Sequence, residues 1–107
     1  MMVSVVLCAY DADRYRDLTE AIESIYAQTH RNVELLIVVD GTRTLFEALQ
    51  DEYGDRSDTL IELNDSNLGL LESRNIGAEL ANGDIVAFID DDAVADEEWL
   101  SELHSVY

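Results

Sequence analysis

The sequence predicts an α/β domain in which a mostly parallel sheet of about four strands is flanked by helices. Four short apolar runs, each partly β-branched and bounded by polar or glycine residues, recur along the chain. Between consecutive runs, apolar residues return at helical spacing. Strand and helix therefore alternate, a pattern that joins parallel strands through right-handed crossovers. At 107 residues, with no internal repeat and no linker, the chain is one domain at most.

The first run, Val3 to Ala9, reads as a buried strand, and Leu18, Ile22 and Ile25 then mark one face of a helix. Val33 to Val39 is the second strand, followed by a helix with Leu45 and Leu49 on its apolar side. Thr59 to Leu63 is the third, and the helix after it is expected to bury Ile76 and Leu80. Ile85 to Ile89 is the fourth, leading to a last helix with Trp99, Leu100, Leu103 and Tyr107 on one side and Asp96 as its N-cap. Open parallel sheets bind ligands outside the carboxyl ends of their strands. The residues there are Ala9-Tyr10-Asp11, Asp40-Gly41-Thr42, Asn64-Asp65 and Asp90-Asp91-Asp92.

Composition narrows the ligands. The chain has 24 Asp and Glu against 6 Lys and Arg, a net charge of -18, yet is 48% hydrophobic, so it folds rather than forming an acidic tail. Such a surface repels nucleic acid and anionic lipid, and any anionic ligand needs a local positive charge. Every cationic residue is arginine, and the acids are spread along the chain, a composition that resembles proteins of extreme halophiles. A single cysteine, Cys8, allows no internal disulfide, and His30 and His104 add too little for an ordinary zinc site. The chain contains neither a basic-flanked signal segment nor an 18-residue apolar span. A cytoplasmic location is expected, at the cytoplasmic face of the membrane in a longer parent.

In a chain this acidic, chance alone supplies roughly one triplet of adjacent acids, so the informative feature of Asp90-Asp91-Asp92 is its position. It follows a buried strand directly, where three neighbouring carboxylates repel unless a cation sits among them. Oxygen ligands suit Mg²⁺ or Mn²⁺, which takes one or two carboxylates and completes its shell with substrate phosphates. An EF-hand counted from Asp90 fails, with Ala95 where glycine is required and Ser101 where glutamate is required. The first turn lacks the dinucleotide-binding glycines, no Walker sequence exists, and the lysine of a receiver domain is missing. Cys8, inside a strand, reads as an inert thiol.

The segments VSVVLCAYD, SIYAQTHRNVELLIVVDGT and NLGLLESRNIGAELANGDIVAFIDDD resemble, in order and spacing, the donor-binding half of family 2 glycosyltransferases. The resemblance spans Val3 to about Trp99 and implies the Rossmann-like GT-A fold of nucleotide-diphospho-sugar transferases. Through VVDG and AFIDDDAVADEEW it extends to haloarchaeal enzymes that elongate dolichyl-phosphate-linked glycans, hexuronic-acid transferases among them. It implies that Ala9, Tyr10 and Asp11 line the uracil and ribose pocket, with the Tyr10 ring against the base. Asp40 is to accept from the uracil imide, Gly69 to let the backbone pass close to the nucleotide, and Arg74 to lie near the base or diphosphate. Asp90 and Asp92 form an Asp-x-Asp motif: Asp90 or Asp91 contacts ribose, and Asp92, with Asp90, holds the metal.

Without the resemblance, Tyr10 is a rim aromatic, Arg74 a partner for nearby acids, and Asp40 the aspartate of an Asp-Gly turn. Gln28 and Thr29 close a helix, and Trp99 anchors the last one. One departure stands out: the family often has two acids after the second strand, where this chain has Val39 and then Asp40. The implied activity is inverting transfer of a sugar from a UDP-sugar to an acceptor hydroxyl, such as that of a lipid-linked glycan in protein N-glycosylation, with Mg²⁺ or Mn²⁺. Residues 1–107 then form the donor-nucleotide-binding part, with the acceptor half and its general base expected beyond Tyr107. The alternative is a non-catalytic nucleotide- or cation-binding module. A four-strand sheet without the rest of that fold is expected to leave an apolar edge and face open to self-association.

Overall fold

A computed structural model describes residues 1–106, so the expectation for Tyr107 lies outside the described residues. The elements are β1 (Val3–Ala9), a 3₁₀ turn (Ala12–Arg14), α1 (Tyr15–Tyr26), β2 (Val33–Asp40) and α2 (Arg43–Tyr53). They continue with β3 (Thr59–Asn64), α3 (Leu70–Leu80), β4 (Ile85–Ile89) and α4 (Trp99–Ser105). The strands form one sheet in the order β3-β2-β1-β4, and every pairing is parallel. Val3 starts level with Val33 on one side and with Ile85 on the other. β2 and β3 each run one residue past the apolar run, so Asp40 and Asn64 pair as the last rung of the ladder. A polar residue can end a buried strand when its side chain finds a hydrogen-bond partner, and these two find each other.

The two faces of the sheet are covered unequally. On one, Val3, Val5 and Leu7 of β1 and Leu35, Ile37 and Val39 of β2 join the main core with Leu18 and Ile22 of α1, Leu45 and Leu49 of α2, and Leu100 of α4. All of these are buried, at about 1.5–3 kcal/mol for each large side chain removed from water. On the opposite face α3 packs over β1 and β2. There the expected contact is corrected: α3 buries Ser73 and Gly77, while Ile76 and Leu80 are half-buried. The cause is proximity, because a Cβ on Gly77 would stand 2.4 Å from Cγ1 of Val6. To either side of α3, Leu60, Val86 and Phe88 remain exposed.

The entry to α4 also differs from expectation. Glu98, not Asp96, occupies the cap position and makes no side-chain cap bond. Asp96 instead closes the preceding turn, its carboxylate accepting from the Glu98 amide at 2.9 Å and its carbonyl from the Trp99 amide at 3.0 Å. Gln28 does more than close α1. Its buried Nε2 donates to the carbonyls of Ser24 (3.0 Å) and Asp96 (2.7 Å), and its Oε1 accepts from the Leu100 amide (2.9 Å). One side chain thus ties the end of α1 to the start of α4.

Two substitutions test this packing by urea unfolding. Gly77→Ala is expected to cost about 1–3 kcal/mol as α3 is pushed off Val6, and an unchanged midpoint would refute the close-contact account. Gln28→Ala leaves the buried Leu100 amide without its partner and is expected to cost about 1–3 kcal/mol. A loss under about 0.5 kcal/mol would show that water replaces the amide without penalty.

Candidate functional site

The carboxyl ends of β1, β2 and β4 surround a cavity of about 380 Å³. β1 contributes Cys8 and Ala9, with Tyr10 just beyond it, and β2 contributes Asp40. Gly69 and Asn67 come from the loop before α3, Ser73 and Arg74 from α3 itself, and Asp90, Asp91 and Asp92 from the turn after β4. Of the residues singled out in the sequence, Ala9, Tyr10, Asp40, Gly69, Arg74, Asp90, Asp91 and Asp92 meet here. Asp11 stands off the wall: its side chain accepts from the Asp13 amide at 2.9 Å and caps the 3₁₀ turn.

Asp40 organises the floor. Its Oδ1 accepts from the Leu68 amide at 2.9 Å and from Asn64 Nδ2 at 3.2 Å, and its Oδ2 accepts from the Gly69 amide at 2.9 Å. Asn64 also donates to Ser73 Oγ at 3.2 Å, linking the clamp to α3. Burial works against ionisation of this carboxyl, but the bonds from Leu68, Gly69 and Asn64 outweigh it and hold its pKa below the ordinary value. Gly69 adopts φ 91°, a left-handed conformation that side-chain-bearing residues rarely take, and this aims its amide at Asp40. The sequence identified Asp40 only as a turn former or ligand contact. Its clamping role was hidden because its partners lie 24 to 29 residues away.

Tyr10 is 60% exposed, so its ring is a free face at the cavity mouth. Its carbonyl accepts from Thr42 Oγ1, which ties the β1 end to the turn after β2. Across the cavity the acidic turn is tight, with the Ala93 amide donating to the Asp90 carbonyl at 3.1 Å. Arg14 donates to Asp92 at 2.8 Å and Arg74 to Asp90 at 3.3 Å. Burial raises the pKa of Asp91; Arg14 opposes that rise, while Asp92 and Asp90 add to it. Among the described residues no group of three or more His, Cys, Asp and Glu side chains is arranged to hold a metal alone. The two carboxylates singled out for a cation, Asp90 and Asp92, are each paired with an arginine.

Sequence reasoning missed Cys8, Asn67 and Ser73 as wall residues. Alternation along β1 carried the signal for Cys8, since Ser4, Val6 and Cys8 share the α3 face. Burial pushes the Cys8 thiol up to about 11, so it is a weak nucleophile at neutral pH as expected, although it faces the cavity.

Residues 4–106 match the profile of Glycosyl transferase family 2. The chain belongs to that family. It is 48% identical over 107 residues to a glucosyl-dolichyl phosphate glucuronosyltransferase of Haloferax volcanii, covering 100% of this chain and 34% of that protein. It is 36% identical over 104 residues to an uncharacterized glycosyltransferase of Haemophilus influenzae, covering 95% of this chain and 31% of the relative. The family 2 chain thus spans about a third of the length of these curated relatives. The fold is shared with S. aureus TarS 1-349, at a TM-score of 0.84 and 23% identity, over 98% of this chain and 32% of TarS. TarS structures of similar likeness are in complex with UDP and with UDP-GlcNAc. The likeness to TarS establishes the GT-A architecture of this family 2 chain.

The low pKa of Asp40 makes a pH prediction. Because the folded value lies below the unfolded one, its stabilisation is complete above the unfolded carboxyl pKa of about 3.9 and fades as pH falls below it. Asp40→Asn is expected to lower the urea midpoint at pH 7 and to flatten its fall between about pH 5 and 2. Parallel acid limbs for the two proteins would contradict this.

Proposed function

We propose that this chain is the donor-binding part of a glycosyltransferase that takes a UDP-sugar with Mg²⁺ or Mn²⁺ and delivers the sugar, with inversion, to a hydroxyl of a lipid-linked glycan. The observation that carries the proposal is the convergence, in a family 2 chain, of an exposed aromatic ring, a clamped carboxylate and an acidic turn on one cavity. The glucuronosyltransferase of Haloferax volcanii supports the acceptor class, and the TarS complexes support the donor class.

In this reading Tyr10 stacks on uracil. Asp40 accepts from the imide N–H through the lone pair of Oδ2 that the Gly69 amide leaves free. The unhindered backbone at Gly69, with no atom within 4 Å of where a Cβ would stand, lets the nucleotide approach. Asp90 or Asp91 meets the ribose, and Asp92 with Asp90 would hold the cation, which would supply positive charge beside the diphosphate leaving group. Arg74 and Arg14 supply the positive charge that an anionic donor needs in this acidic chain, exchanging their carboxylate partners for phosphate oxygens. No residue of this wall is assigned as the base that takes the acceptor proton.

Titrating UDP calorimetrically into the wild type and Asp92→Ala, with Mn²⁺ or Mg²⁺ and then with chelator, tests the sign of the effect. If the cavity attracted UDP by charge alone, removing Asp92 would free Arg14 and tighten binding. A cation bridge requires the reverse, at least tenfold weaker binding in Asp92→Ala and in chelator. Tighter binding by the variant, or no UDP binding by the folded wild type, would sink the proposal.

A further inference from the structure

A second cavity, of about 260 Å³, opens at the amino ends of β2 and β3. Leu35, in its wall, lies five residues along β2 from Asp40, roughly 17 Å at the usual rise of a strand. Its wall carries Tyr26, His30, Arg31, Arg56 and Asp58. In a chain with net charge -18, two of six arginines and one of two histidines meet here.

The two guanidinium groups differ in their commitments. Arg56 lies over the Tyr26 ring with its Cζ 3.5 Å from the centroid, and the Tyr26 hydroxyl is fixed by Thr59 Oγ1 at 2.7 Å. Stacking therefore sets the plane of the Arg56 fork before any ligand arrives. Its bonds to Asp58 are long, 3.3 and 3.4 Å, leaving that carboxylate easy to outcompete. Arg14, Arg16, Arg43, Arg56 and Arg74 each have a carboxylate within ion-pair distance. Arg31 has none among the described residues, although acids outnumber arginines four to one. Asp58 in the wall and Glu23 near Arg56 are the acids that face the cluster.

We infer that this cavity is a binding site for a small phosphate-bearing anion, held between the fork of Arg31 and the stacked fork of Arg56, with His30 at its edge. Two guanidinium forks present more donors than a carboxylate can accept, whereas a phosphate has oxygens for both; His30 Nε2 already lies 3.2 Å from the Met1 carbonyl. Ile25, Val33 and Leu35 add an apolar side for the carbon part of a phosphomonoester. The chain's negative charge repels anionic bilayers, so a free small anion rather than a lipid headgroup is the ligand.

Inorganic phosphate titrated into the 107-residue chain in molar KCl, followed by NMR, tests this. Signals of Tyr26, His30 and Arg31 report this cavity, and those of Tyr10 and Gly69 report the other. Saturable shifts confined to the first group are expected, at least tenfold weaker in Arg31→Gln and in Arg56→Gln and unchanged in Arg74→Gln. Arg31 is exposed and unpaired among the described residues, so its variant keeps the test valid should Arg56→Gln unfold. No saturable shift in the wild type, shifts at Tyr10 and Gly69 instead, or equal binding by wild type and Arg31→Gln would overturn the inference.

Discussion

The carboxylate of Asp40 is the constraint on which the rest of the site depends. The loop 65–69 is exposed throughout and has no apolar anchor, so hydrogen bonds alone position it. Asp40 supplies two of them, accepting from the Leu68 and Gly69 amides, and Arg43 adds a third by donating to Asp65 at 3.3 Å. Gly69 also occupies the N-cap position of α3, which has no side-chain cap bond. One buried charge at the end of a strand therefore sets the start of a helix, the path of a loop and the cavity floor together. A carboxylate does this better than an amide because it accepts in several directions and its bonds to N–H groups are charge-assisted.

Charge elsewhere is arranged for placement more than for stability. The ion pairs are exposed, and such pairs contribute about 0–1 kcal/mol each. Their distribution matters more: Arg14 and Arg74 both reach the acidic turn from other elements and neutralise its two outer carboxylates. The cavity beside them thus carries charges of both signs on its wall. At the opposite end of β2, the same economy of arginines leaves one guanidinium without a carboxylate among the described residues.

The two faces of the sheet show how side-chain size governs architecture. Where large aliphatic residues meet, α1, α2 and α4 build a continuous core. Where α3 crosses β1 and β2, Ser73 and Gly77 let the helix backbone approach closely, and this draws Ser73 and Arg74 into the cavity wall. A helix that buried Ile76 and Leu80 would sit farther out and carry Arg74 away from Asp90.

Much of this was legible in the sequence, for physical reasons that can be named. Apolar runs of strand length, separated by residues at helical spacing, fix an alternating α/β order because each strand and each amphipathic helix needs an apolar face to pack on. From that order the carboxyl ends of the strands follow, and with them Tyr10, Asp40 and the triplet from Asp90 to Asp92. The three-segment resemblance added Gly69 and Arg74, which periodicity does not mark. Tertiary structure alone decided the rest. The clamp of Asp40 on Leu68 and Gly69, the bridge from Gln28 to Leu100, the diversion of Asp11 to a turn, and the pairing of Arg14 with Asp92 all join or separate residues by side-chain direction. Local pattern carries the period of a strand or helix but not the identity of the group that a polar side chain will meet 72 or 78 residues away.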